Sequence, residues 1–328
     1  MKTKVKFGAC LPAFGNTADR YCLSGYGEKY TLEQIFERAA SVEDIEGVEL
    51  VGNWHVNRDN YIQVTDKLKS MGLKVPLLTP DLWTQSKWGK GSFSSKDPKI
   101  RHEAVEEVKL CMDIASLTGA NMVDVWLGQD GFDYWLTEDY QESWKRIVDC
   151  VNECCDYKKD VVVAHEYKRK EPRSHLFVDS CAKVKCLMAE SGRPNQGILI
   201  DTGHAQAAGE GVAEAIAFAG KDLCYIHIND NHKFWDDDMM FASIHTIEAI
   251  EILYWLDKIG YEGWYTLDVF PYREDEIAAV RESIAWVKGL RDLIDYMGES
   301  KIQEVIATRE ATNVSRLIRE AICGHLKK

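Results

Sequence analysis

Apolar residues along the chain fall into short runs separated by longer stretches with helical spacing. Eight runs stand out: Val5–Leu11, Gly47–Val51, Val75–Leu78, Met122–Leu127, Val161–Ala164, Ile198–Ile200, Leu223–Ile228 and Trp264–Val269. Each is too short for a helix, and most are rich in β-branched or aromatic residues, which predicts strands. Between them, apolar positions recur three and four residues apart over Leu32–Ala40, Ala104–Thr118, Tyr140–Asp156, Ser180–Glu190, Ala213–Ala219, His245–Ile259 and Glu276–Gly298. This spacing predicts amphipathic helices. Strand and helix alternate, so a parallel sheet is expected. Eight such strands fit an α/β fold of the closed (β/α)8 barrel type over residues 1–298, with active residues at the carboxyl ends of the strands. An open doubly wound sheet is the alternative. No GxGxxG follows the first strand, which weakens that alternative and argues against a nucleotide cofactor.

Residues 299–328 read as a C-terminal helical extension, with Ile302, Val305, Ile306, Val314, Leu317, Ile318 and Ile322 at helical spacing. A barrel does not need it. It either packs on the barrel wall or forms a subunit contact.

The composition narrows the classes. With 328 residues and 45% hydrophobic content the chain can bury a large core. No run of eighteen apolar residues occurs, so no membrane association is expected. The segment Met1–Lys6 has no long apolar stretch of the signal-peptide kind, so a cytoplasmic location is expected. A formal net charge of -13 opposes a broad nucleic-acid footprint. The ten cysteines show no paired CxxC spacing, and free thiols are expected.

The informative charges stand at strand ends. Strand two runs into Asn53-Trp54-His55, strand four into Gly128-Gln129-Asp130, and strand five into His165, Glu166 and Lys168. Strand six gives Asp201-Thr202-Gly203-His204, strand seven His227 and then Asn229-Asp230-Asn231-His232, and strand eight Asp268. Burying so many ionisable groups uncompensated would cost several kcal/mol each. A cation resolves this. Glu166, Asp201, His227 and Asp268 supply three carboxylates and one imidazole, a donor set suited to Mn²⁺, Mg²⁺ or Co²⁺. A lone Asp after a strand is more often a helix N-cap, and it is the recurrence on consecutive strands that favours a metal centre. In Trp235-Asp236-Asp237-Asp238, alternation along an extended segment puts Asp236 and Asp238 on one side, where they could join His204 around a second cation.

These motifs resemble the xylose-isomerase-like barrel superfamily of sugar isomerases and epimerases, over roughly residues 5–290. Glu166-Tyr167-Lys168 followed by Glu171-Pro172 resembles the Glu-x-Lys and Glu-Pro of xylose and L-rhamnose isomerases. There the Glu is a metal ligand and the Lys acts on a substrate oxygen. Asp201-Thr202-Gly203-His204 is similar to the family's acid, two residues, His. The resemblance implies an aldose–ketose isomerase or epimerase with a divalent cation and no nucleotide. Epimerases of the superfamily use a metal-bound Glu at the strand-eight position, whereas Asp268, one methylene shorter, is similar to the hydride-shifting isomerases.

Catalytic subunits of bacterial C-glycoside deglycosidases are also similar. They imply a Mn²⁺-dependent carbon–carbon lyase acting on 3-oxo-glucosides with a small partner subunit. Metal-dependent endonucleases share the barrel shape, but the acidic charge and the Glu-x-Lys speak against them. The candidate catalytic residues are therefore Lys168, His204, Glu166 and His55, with His165 and His232 as further possible bases. Trp54, Trp126, Gln129 and His232 are candidate substrate contacts, with Trp83 and Phe132 as further stacking surfaces. The expected partners are a sugar or glycoside and either a second copy of the chain or a small partner subunit.

Overall fold

The structure is a computed structural model, and it describes residues 3–325. Eight parallel strands close into a barrel: β1 (Lys6–Cys10), β2 (Ile45–Val51), β3 (Leu78–Thr79), β4 (Met122–Trp126), β5 (Val162–Glu166), β6 (Gln196–Asp201), β7 (Leu223–Ile228) and β8 (Trp264–Leu267). Each strand pairs with its neighbours in sequence, and β1 pairs with β8 to close the ring. The expected (β/α)8 barrel is what forms. The third strand is shorter than its apolar run, since Val75–Leu77 lie outside it, and Pro76 has no amide hydrogen to give a ladder.

The helices cover the outside: α1 (Leu32–Ala40), α2 (Tyr61–Ser70), α3 (Pro98–Thr118), α4 (Tyr140–Tyr157), α5 (Cys181–Ser191), α6 (Thr202–Ala208), α7 (Val212–Ala219), α8 (Thr246–Lys258) and α9 (Glu276–Met297). Most of their starts are written in capping side chains. Thr31 and Gln34 form a reciprocal box on α1, and Asp97, Asp139, Ser180 and Asp275 cap α3, α4, α5 and α9. Gly119 and Gly192 end α3 and α5 at φ 80° and 64°, a left-handed conformation that suits a residue without Cβ. None of the helices among the described residues is long and apolar enough to cross a membrane, and all ten cysteines are free.

Several features lie outside the sequence expectation, the short helix α6 among them. Helix α2 was not anticipated, because only Val64 and Leu68 of it are buried and the apolar stripe is thin. A small antiparallel ribbon joins residues 131–132, 170–171 and 174–176 beside the barrel mouth. The tail is also not one helix. It is α10 (Glu299–Thr308) and α11 (Ala311–His325), broken at Arg309, which sits at φ 53°. Residues 326–328 of the expected extension lie outside the described residues. The tail packs through Ile302, Val305, Leu317, Ile318, Ala321 and Ile322, leaving Ile306 and Val314 exposed.

Alternation along the strands sorts the barrel interior into layers. Leu77, Ala164, Leu199 and Tyr225 form an apolar plug. Two residues further along β5, β6 and β7 the same inward face carries Glu166, Asp201 and His227, and β8 continues from Thr266 to Asp268. The period of two that fills the barrel with hydrocarbon at one level delivers ionisable groups at the next.

Candidate metal centre and adjoining cavity

The four residues expected to hold a cation converge. One ligand atom from each of Glu166, Asp201, His227 and Asp268 lies within 4.8 Å of the others. His227 Nδ1 is 3.3 Å from Glu166 Oε1, 3.7 Å from Asp268 Oδ2 and 3.9 Å from Asp201 Oδ2. The register supplies this directly, since His227 lies opposite Asp201 across the β6–β7 ladder.

Asp201 has two tasks. Its Oδ1 accepts the backbone N–H of His204 at 2.8 Å and caps α6, while Oδ2 accepts from Asn229 Nδ2 at 2.8 Å. The helix-cap reading and the ligand reading are both satisfied by one carboxylate, one oxygen each. Gly203 is required here, because a Cβ would come within 2.3 Å of Asn229 Oδ1.

A second cluster shares Asp201 and adds His204 and Asp236. His204 Nε2 lies 3.3 Å from Asp236 Oδ2, and its Nδ1 is 3.2 Å from Glu166 Oε1. Asp238 is not part of this set. It has φ 46°, so the segment is not extended there, and the period-two argument does not apply. Asp238 lines the same cavity, and its Oδ1 is 3.5 Å from Asn229 Nδ2.

The acid–base balance reflects the crowding of carboxylates. Burial and the neighbouring carboxylates raise Asp268 to about 7. Burial, only partly opposed by His204, raises Asp201. Burial would depress His204, but Asp201 and Asp236 outweigh it and lift the imidazole to about 9. His227 is likewise raised, against its burial, by Glu49 and Glu166. Protons thus stand in as counter-charges in a nest of carboxylates, where a divalent cation would replace them. Asp236 Oδ1 is buried with no hydrogen-bond partner, which suits a ligand to a cation. The donor set fits Mn²⁺, Mg²⁺ or Co²⁺.

Two inward-facing carboxylates escaped the sequence reading. Glu49 on β2 presents both oxygens 3.2 Å from His227 Nε2 and accepts from Cys10 Sγ at 3.3 Å. By holding the proton on Nε2 it would leave Nδ1 as the ligating nitrogen once a cation displaces the other proton. Asp124 on β4 is pushed well up by burial and by Glu166, and so holds a proton against Glu166. Replacing Glu49 by Gln is expected to weaken cation binding by about 10–100-fold, as loss of an outer partner of a ligating His does. Calorimetric titration of the apoprotein checks it, and unchanged affinity would separate Glu49 from the centre.

Lys168 lies on the inward face two residues beyond Glu166. It is buried, 2.6 Å from Asp236 Oδ2, and also pairs with Glu171. Burial opposes its charge, but Asp236 and Glu171 more than compensate, so it remains an ammonium. His55 lines the cavity, and its Nδ1 accepts the Val51 amide at 2.9 Å. Burial lowers it to about 4, so the ring is neutral with its proton on Nε2.

Trp54, Trp83 and Trp126 form one wall of a cavity of about 500 Å³. Gln129 does not line this cavity, and its Nε2 donates to the Trp83 carbonyl at 3.2 Å. His232 is exposed outside it, because the turn between the paired Asp230 and Met239 carries residues 232–235 to the surface before Asp236 returns to the site. His165 faces away from the barrel axis, bonded to Gln196 at 2.8 Å, and Phe132 stacks on His175 in the ribbon.

The sequence profile of the xylose isomerase-like TIM barrel family matches residues 36–290. The chain belongs to that family. It is 26% identical over 260 residues to the xylose isomerase of Thermus thermophilus, covering 75% of this chain and 67% of that one. With the xylose isomerase of Thermus caldophilus it shares 28% over 219 residues, covering 64% and 56%. So the chain spans between half and about two thirds of these isomerases. Among solved structures, the barrel is similar to a 3-keto-D-glucoside 4-epimerase from E. coli, with TM-score 0.67, 17% identity, and 87% and 100% of the two chains covered. It is also similar to the D-allulose 3-epimerase of a Methylomonas species, with TM-score 0.67, 15% identity, and 88% and 99% covered. The family frame places both clusters at the end of the barrel where its members' fold class builds active sites.

Proposed function

We propose that the protein is a divalent-cation-dependent sugar isomerase that interconverts an aldose and a ketose. The observation that carries this reading is the pair of clusters joined at Asp201, with the Lys168 ammonium buried beside them. Mn²⁺, Mg²⁺ or Co²⁺ held by Glu166, Asp201, His227 and Asp268 would supply Lewis-acid polarisation of the substrate oxygens. His204 and Asp236, sharing Asp201, are the holders proposed for a second ion. Lys168 stabilises negative charge developing on the substrate oxygen next to the migrating hydrogen. His55 offers Nε2–H as a neutral donor to a sugar oxygen. The Trp126 ring, 6.5 Å from His204 and nearly parallel to it, screens the reacting carbons from water.

The test is to strip the protein with a chelator, reload it with each cation, and follow free pentoses and hexoses by carbon NMR. Aldose–ketose exchange that disappears on stripping and returns on reloading is expected. Release of aglycone from a 3-oxo-C-glucoside, with no exchange on free sugars, would transfer the site to carbon–carbon cleavage. The reading includes a cytoplasmic setting, where ten free thiols remain reduced.

The same reading makes the protein a homo-oligomer, with Ile306 and Val314 of the tail, 46% and 38% exposed, covered by a second copy. Ending the chain at Gly298 is expected to reduce the mass measured by light scattering. An unchanged mass removes the tail from assembly.

A further inference from the structure

Building on the isomerase reading, we propose that the outer half of the cavity is a subsite for a second ring, and that the substrate is a reducing disaccharide. The cavity has two chemically different halves. Its floor is ionic, with Glu49, Glu166, Lys168, His204, His227 and Asp236. From that floor an aromatic wall climbs to the surface. Trp126 lies beside His204, Trp83 follows 4.9 Å from Trp126, and Trp54 follows 5.6 Å from Trp83. Trp54 is 44% exposed and Trp235, also lining the mouth, 48%.

A free hexose, with twelve non-hydrogen atoms, is smaller than the drug-sized ligands that cavities of roughly 300–1,000 Å³ enclose. At about 500 Å³ the cavity exceeds what one hexose fills. Seated on the floor, a hexose has Trp126 for its apolar face and leaves Trp54 facing solvent. A second ring occupies that space and stacks on Trp54 and Trp83, since the C–H face of a sugar is an apolar surface suited to indole.

The chemistry orients the molecule. Aldose–ketose exchange moves one hydrogen from C2 to C1 and one proton between their oxygens. No atom leaves, and no other reactant is consumed. It needs a free anomeric carbon, so the second ring hangs from a distal hydroxyl and points to the mouth while the reducing residue meets the floor.

The experiment compares the cation-loaded parent, Trp54→Ala and Trp54→Phe on glucose and xylose against maltose, cellobiose, lactose and melibiose. Binding of the non-isomerisable alditols sorbitol, maltitol and lactitol is followed by tryptophan fluorescence. For at least one linkage, the parent is expected to prefer the disaccharide. Trp54→Ala should lower that preference, as a ratio of kcat/KM values, at least ten-fold, and Trp54→Phe should restore most of it. The disaccharide alditol should bind at least ten-fold tighter than sorbitol, in a Trp54-dependent way.

Exchange on monosaccharides, with no disaccharide preference and equal alditol affinities, overturns the subsite and leaves the isomerase reading standing. Trp54-dependent alditol binding with no exchange on any sugar supports the subsite and overturns the isomerase reading. Absence of both defeats both. A Trp54→Ala protein whose oligomeric mass changes assigns the wall to a subunit contact and overturns the subsite.

Discussion

Asp201→Asn is expected to lower cation affinity by more than about 100-fold, beyond the loss of an outer partner, while leaving the apoprotein folded. Asp201 belongs to both clusters, so one substitution removes a charged donor from each. The folded state survives because the amide oxygen can still accept the His204 N–H and cap α6, a contact worth about 0.5–2 kcal/mol. The amide nitrogen then faces Asn229 Nδ2, a donor against a donor, where a carboxylate oxygen had accepted. That clash is offset in the ion-free protein by removing one carboxylate from a crowded, buried set. Metal analysis after dialysis, with a melting curve of the apoprotein, measures both effects. Retention of cations at the parent's stoichiometry and affinity would mean that the centre lies elsewhere.

Lys168→Met should reduce kcat by about 10²–10³-fold, the scale set by losing one donor aimed at developing charge. Methionine keeps most of the length and removes only the ammonium. The variant's melting temperature should fall in the ion-free protein, because Lys168 is buried against Asp236 and Glu171. Breaking such a pair from one side costs about 3–5 kcal/mol when the remaining charge has no substitute. His204 is the partial substitute, 3.3 Å from the same Asp236 oxygen. A melting-temperature loss in the apoprotein that shrinks on loading with Mn²⁺, together with low turnover at saturating cation, is the expected pattern. Undiminished kcat would remove Lys168 from the chemistry.

The barrel was legible because each strand is short and apolar and most return helices, α2 apart, have a clear stripe. Glu166 and Asp201 were legible because a charge there ends the apolar run, and His227 and Asp268 because they stand one residue short of the carboxyl end of the next two runs. Glu49 and Asp124 were not, because they sit inside runs, flanked by Val48 and Leu50 and by Val123 and Val125. A signal did exist: an ionisable residue on the inward face of a barrel strand has no solvent to reach. Reading it requires knowing which face is inward, which only closure of the barrel decides. The fate of the Asp triplet depended on backbone torsion. Asp tolerates the left-handed conformation, so Asp238 leaves the extended path that would have aligned it with Asp236. The ribbon was invisible for another reason, since strands of two or three residues carry no period.

The convergence of β5 to β8 on one point has a kinetic consequence. Glu166, Asp201, His227 and Asp268 come from four separate strands, and none of these ligands meets another until those strands are in register. A cation bound there cannot help the chain reach a folding barrier at which the register is not yet set. It can only deepen the native well, by about 2.7 kcal/mol at one hundred times its dissociation constant. Loading should therefore appear almost wholly as slower unfolding, with the refolding arm of a denaturant jump unchanged. The metal centre would then serve as a latch on the finished barrel, one that decides how long the closed ring persists and has no part in how it is found.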